Sequence, residues 1–216
     1  MYVLETLKKT FEQVTGVGKP SSASMQRFIR RRKPHAIMFH DDGAVPNNPT
    51  LPFVHYRSPV RLTHAPDAAA VLEELFESNG WSGSWRNGIY DFLHYHSGTH
   101  EVLGIARGYA RVRFGGRDGK LVALRAGDVV ILPAGTGHQR VSASRDLLVV
   151  GSYTAAGQYD ECKDSAKEHA HALQSIPQVA LPARDPVYGS DGPLLDCWNG
   201  DKVSRRPQSE HDSARS

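Results

Sequence analysis

Three histidines and a glutamate stand in this chain at spacings that could hold a metal ion. His94 and His96 are two apart in the stretch GIYDFLHYHSGTHEVLGIARG, which runs from Gly88 to Gly108, and Glu101 follows a short step downstream. Alternate residues of a strand share a face, so the two imidazoles would project the same way. His138 is the candidate for the remaining position. Three imidazole nitrogens and one carboxylate oxygen leave coordination positions open on an ion that accepts five or six ligands. That suits Fe(II), Mn(II), Ni(II) or Co(II), and Zn(II) less exclusively, at one ion per subunit. A single histidine in a strand is ordinarily just a hydrogen-bonded core residue. The argument for a metal rests on all four residues together.

Strands must gather these residues. Strand-like runs cover 88–96, 101–107, 109–114, 121–124, 128–132 and 147–153, and GGRDG at 115–119 reads as a hairpin turn. Upstream, AIMFH at 36–40 and FVHYR at 53–57 read as strands around a turn-rich segment at 41–52. Residues 67–78 form the clearest helix: Asp67 can cap it, Val71, Leu72, Leu75 and Phe76 make one apolar face, and Asn79-Gly80 stops it. Residues 3–14 have helical spacing. Residues 160–175 suggest a short helix, 177–195 an extended segment wrapping the core, and the polar chain from about Gly200 a disordered tail. His169 and His171, two apart in a helix, point nearly opposite ways and read as solvated.

The two halves of the site carry a familiar spacing. Gly88, His94, His96, Glu101 and Gly108 resemble the first motif of the cupin family, and Gly127, Pro133, Gly135 and His138 resemble the second. Only residues 109–126 lie between them. The family pattern has Asn where this chain has Ser142, and that position is not a ligand. With DDGAVPNNPTLP, PAGTGHQ and DPVYGSDGPLL, the chain resembles a small bacterial subfamily of single-domain cupins over residues 35–198. The resemblance implies an all-β jelly-roll barrel with a few peripheral helices, a bound metal and a homodimer, but no assigned reaction. Residues 1–34 would then be an N-terminal helical and basic arm, and 199–216 a tail.

In such a barrel the inward set on strand 88–96 is Tyr90, Phe92, His94 and His96, with the two aromatics as an apolar collar over the metal. Only one of His100 and Glu101 can face inward on a regular strand. The cupin register selects Glu101, leaving His100 as an outer support or an alternative ligand. Arg86, next to Trp85, could meet an anionic substrate group, or could brace a loop. Tyr153 could face the cavity mouth, or pack in the core. Tyr90, Phe92, Arg86 and Tyr153 are thus the substrate-binding candidates, with the catalytic groups unassigned.

Composition narrows the function classes. The net charge of +3 is uneven: residues 1–33 hold eight Lys/Arg against two Asp/Glu, so the rest of the chain is net negative. The run RFIRRRK at 27–33 reads as a solvated, mobile arm. No helix-turn-helix pattern accompanies it, so nucleic acid is not expected as a partner. No apolar stretch is long enough to span a membrane, and the first twenty residues lack a secretory apolar core, so a cytoplasmic protein is expected. Cys162 and Cys197 do not make a disulfide scaffold, although their pairing stays open. No nucleophile elbow, phosphate loop or dinucleotide fingerprint occurs. The expectation is a metal-dependent enzyme of small molecules. A dioxygenase-like oxidoreductase comes first, and an isomerase or epimerase, or a non-catalytic binding barrel, are the alternatives.

Overall fold

A computed structural model describes residues 22–199 of the chain. The segment 3–14 and the chain from Gly200 onward lie outside the described residues. The architecture is an all-β jelly roll of two antiparallel sheets. Its strands are β1 (His35–Ile37), β2 (Phe53–Tyr56), β3 (Trp81–Asn87), β4 (Glu101–Arg107), β5 (Tyr109–Phe114), β6 (Lys120–Arg125), β7 (Val129–Leu132), β8 (His138–Ala143) and β9 (Leu148–Thr154). The larger sheet runs β1-β2-β7-β4-β9-β3 and the smaller β6-β5-β8. Around them lie α1 (Ser22–Met25), α2 (Ala68–Ser78), α3 (Ala166–Ser175) and α4 (Pro193–Trp198). No described helix is long and apolar enough to cross a membrane.

The larger sheet is covered on both faces, which explains why β4 and β7 read as nearly continuous apolar runs. One core lies between the sheets and holds Phe53, Leu103, Ile105, Val112, Phe114, Leu124, Val130 and Val149. A second core lies on the outer face, where Val102, Ile131 and Val150 meet Leu72, Leu75 and Phe76 of α2. Helix α2 begins where expected: the Asp67 carboxylate accepts from Ala69 N–H at 3.0 Å and Ala70 N–H at 3.1 Å. Full burial of one such leucine or phenylalanine is worth ~1.5–3 kcal/mol, so α2 is held mainly by its apolar face.

Several expectations need correcting. The run 88–96 is not a strand; it carries isolated bridges from His94 to His138 of β8 and from Tyr95 to Cys162, and Tyr90 O accepts from Arg140 N–H of β8 at 2.8 Å. The strand before it is instead WSGSWRN, whose Gly and Ser residues disguise it. A register shift between Ser82 and Trp85 lets Trp81 enter the outer core while Trp85 packs between the sheets. The strand expected at 36–40 is short and lies at 35–37. Part of the basic arm expected to be mobile packs on the barrel: Met25 and Phe28 are buried in the outer core, and Ile29 bridges to Val60. The helix expected from 160 begins at Ala166, because the residues before it form a loop against the site. Segment 177–195 does wrap the core, anchored by buried Asp185, which accepts from Tyr56 Oη at 2.6 Å. Both cysteines are free.

Trp85 depends on a missing side chain opposite it. A Cβ on Gly151 would collide with the indole of Trp85. Gly151→Ala is expected to destabilise the fold by ~1–3 kcal/mol through overpacking. A lower Tm and an altered tryptophan emission spectrum would register it.

Candidate metal centre

His94, His96 and His138 come together, all buried, with one ligand atom of each within 4.8 Å of the others. His94 and His138 are fixed by a reciprocal backbone pair, with N···O distances of 3.2 and 2.9 Å. Their rings lie 4.0 Å apart, centroid to centroid. His138 opens β8, opposite Phe114 of β5. His96 is held by its carbonyl, which accepts from Gly135 N–H at 2.7 Å.

Each of the three imidazoles has its Nδ1 against a backbone carbonyl. His94 faces Phe92 O at 3.2 Å, His138 faces Thr136 O at 3.2 Å, and His96 faces Asp160 O. A carbonyl can only accept, so each Nδ1 carries the proton and each Nε2 keeps its lone pair. Metal-binding histidines use this arrangement to set tautomer and ring direction.

The phase of β4 answers which neighbour turns inward. Glu101 shares a face with Leu103 and Ile105 of the core between the sheets, whereas His100 shares one with Val102 on the outer side. Glu101 Oε2 lies 3.6 Å from His96 Nε2 and 3.5 Å from His138 Nε2. His100 turns away, packing on Trp198 at 4.7 Å and accepting from Ala134 N–H at 2.9 Å through Nδ1.

These donors fit a divalent cation. Glu101 Oε2 is buried with no hydrogen-bond partner, and leaving a buried polar atom unpaired costs ~1–3 kcal/mol. Donors bound at 2.0–2.2 Å on neighbouring positions of one ion would lie roughly 3–3.5 Å apart, close to the two separations above. The electrostatics agree. Burial pushes His94 down to about 4, and burial with the neighbouring His94 and His96 pushes His138 well below its ordinary value. Both are therefore neutral, as ligation requires. Burial also drives Glu101 above the usual carboxylate range, against the pull of His96 and the Tyr153 hydroxyl. A cation beside it would reverse that.

The centre lies in a cavity of about 340 Å³ whose lining includes Trp85, Tyr90, Leu103, Tyr153 and Tyr159. Tyr153 Oη accepts from Trp85 Nε1 at 3.0 Å. Phe92 is not part of this lining. It stacks on Tyr90 at 4.8 Å, and both rings are partly exposed, so the expected collar is a rim. The backbone irregularity of 88–96 accounts for that outward turn. Arg86 borders the cavity, but its guanidinium is taken by Glu73, at 2.6 and 2.7 Å, and by Asp67, at 3.0 Å. Those two carboxylates, on and before α2, already satisfy the charge proposed for a substrate anion. His169 is not simply solvated either, since its Nε2 lies 2.9 Å from Asp41.

Two contributors had no signal in the spacing. Tyr159 rests on His96 at 5.0 Å and on Tyr153 at 5.1 Å, and its neighbour Asp160 supplies the carbonyl for His96. They reach the site from a loop more than sixty residues downstream of His96.

No family model matches the chain. An uncharacterized protein of Bacillus subtilis (strain 168), YjlB, is 39% identical over 167 residues, which cover 77% of this chain and 98% of YjlB. Among solved structures, an acireductone dioxygenase from Bacillus anthracis with a cadmium ion in its active centre is 20% identical over 44% of this chain and 68% of that one, with a TM-score of 0.31. The TDP-quinovose 3,4-ketoisomerase WlaRB of Campylobacter jejuni is 12% identical over 41% and 73%, with a TM-score of 0.32. Oxalate decarboxylase from Bacillus subtilis is 20% identical over 54% of this chain and 28% of that one, with a TM-score of 0.30.

Proposed function

This chain belongs to the family of Bacillus subtilis YjlB, and we propose that it is a metal-dependent enzyme of small molecules, a dioxygenase-like oxidoreductase. One observation carries the reading. Three Nε2 lone pairs, fixed by three Nδ1 contacts to carbonyls, converge with the unpaired Oε2 of Glu101 at the side of an aromatic cavity. His94, His96, Glu101 and His138 would hold one divalent ion, and a redox-capable ion there supplies oxygen and electron-transfer chemistry.

The residues around it have distinct tasks. Tyr153, Tyr159 and Trp85 exclude bulk water and offer flat faces to a substrate. The Tyr153 hydroxyl stands beside Glu101, where its proton can steady the carboxylate. At about 340 Å³ the cavity is at the small end of ligand pockets, which span ~300–1,000 Å³, so a compact substrate fits. An isomerase of phosphorylated or nucleotide-linked sugars would need a cation for its phosphate, and the arginine bordering the cavity is already paired.

Metal analysis of the chain purified without a histidine tag is expected to find about one ion per chain. His94→Ala and His138→Ala should bring it near zero; an unchanged stoichiometry in either variant would sink the reading. Oxygen uptake by the Fe(II)-loaded protein, screened against catechols, keto acids and thiols, tests the reaction. Exchange of Fe(II) for Zn(II) should abolish turnover. Turnover that survives the exchange would favour an isomerase. Tight ligand binding without uptake or product would favour a non-catalytic barrel.

A further inference from the structure

The geometry points to Asp160 as a positioning residue for the metal centre: its carboxylate locks the loop 155–162 onto the turn after His96, and its own carbonyl then sets the His96 tautomer. This rests on the metal reading above and adds to it a residue far from both histidine motifs.

The carboxylate of Asp160 gathers the donors of that turn. It accepts from Ser97 N–H at 2.8 Å, Ser97 Oγ at 2.6 Å and Gly98 N–H at 3.2 Å, and from Cys162 Sγ at 3.3 Å. Burial alone would raise its pKa, but these hydrogen bonds outweigh burial and hold it below the ordinary value, as a carboxylate. Charge-assisted bonds of this kind are about twice as strong as neutral ones. The backbone continues the clamp: Gln158 N–H donates to Gly98 O at 2.9 Å, and Tyr95 and Cys162 exchange a pair at 3.0 and 2.9 Å. A Cβ at Gly98 would strike the carbonyl of Gln158, so the loop sits directly on bare backbone.

The clamp has a chemical consequence at the metal-facing nitrogen. Asp160 O is the acceptor that keeps the proton of His96 on Nδ1. Without it, the isolated imidazole is free to carry its proton on Nε2 instead, which cannot ligate. The charge of Asp160 never touches the ion. It acts through Ser97 and Gly98 by fixing where its own carbonyl lies.

The test uses the full chain and two readouts. Nitrogen-15 NMR of the metal-free protein at about pH 8, where imidazoles are neutral, should find His96 with protonated Nδ1 in the wild type. In Asp160→Ala the Nε2–H form should appear. Co(II) titration followed by visible absorption should give ~10–100-fold weaker binding in Asp160→Ala, the size of effect seen when such supports are lost. Asp160→Asn keeps an oxygen for the two N–H donors and should be intermediate in both; it carries the test if the alanine variant does not fold. A merely structural role would lower Tm and leave the tautomer and Co(II) affinity unchanged, which would overturn the proposal. A wild-type chain that binds no Co(II) would overturn the metal reading and this proposal with it.

Discussion

Glu101→Gln is expected to weaken divalent-cation binding by about 100-fold or more while raising the Tm of the metal-free protein. The two effects have one cause. Glu101 is buried, Oε2 has no hydrogen-bond partner, and burial holds its pKa above the ordinary carboxylate range. In the absence of a cation the carboxylate is thus a liability, and an uncharged amide of the same shape relieves it. Loss of even a supporting residue around a metal costs 10–100-fold in affinity, and loss of a charged ligand should cost more. The relief in stability should be of the order of one buried polar penalty, ~1–3 kcal/mol, or a few degrees in Tm. Thermal melts with chelator, beside Co(II) or Mn(II) titrations, would read both. If glutamine lowered the metal-free Tm, or left cation affinity intact, Glu101 would be an ordinary core carboxylate.

The metal-free chain should also lose stability steeply on mild acidification. Burial lowers His94 and His100 to about 4 and His138 well below the ordinary 6.5. A depressed group contributes stability that is full above its unfolded value and lost as pH falls towards its folded value. For His94 and His100 that window runs from about 6.5 down to about 4. Each contributes a slope of about 1.4 kcal/mol per pH unit where only the unfolded chain is protonated. Glu101 has the opposite sign: its raised pKa gives stability that is present below its ordinary value and lost as pH rises through the folded one. His94 and His100 together account for a loss of roughly 4 kcal/mol between about pH 7 and pH 5, with His138 adding to it and Glu101 opposing it. That is a large share of the 5–15 kcal/mol typical of a domain. Urea unfolding across that range, with chelator present, would measure it, and Glu101→Gln should steepen the dependence. A flat profile would mean that the imidazoles gain protons in the folded chain as easily as in the unfolded one.

The histidine motifs were legible because each is local: His94 and His96 keep their common direction in an extended segment, although it forms ladder bridges only at 94 and 95. The choice between His100 and Glu101 was hard to read for a physical reason. A strand covered on both faces has apolar residues at every position, so EVLGIAR hides the alternation that would fix its phase. The resemblance supplied what periodicity could not. Strand β3 escaped notice because its irregular register is carried by Ser and Gly, which read as loop. Arg86 stayed open between a substrate contact and a brace because its partners, Glu73 and Asp67, are close only after α2 docks on the sheet. Asp160 belongs to the same class: only the folded chain brings it to Ser97.

The clamp around Asp160 also governs a thiol. Cys162 is buried, donates to the same carboxylate, and is pushed up to about 12, first by burial and then by that negative neighbour. Thiolates, not thiols, ligate metals and react with oxidants. A cysteine one backbone bridge from Tyr95, between the two histidines of the centre, is thereby kept chemically silent. The protein can carry sulfur beside its candidate metal centre without offering a competing thiolate ligand.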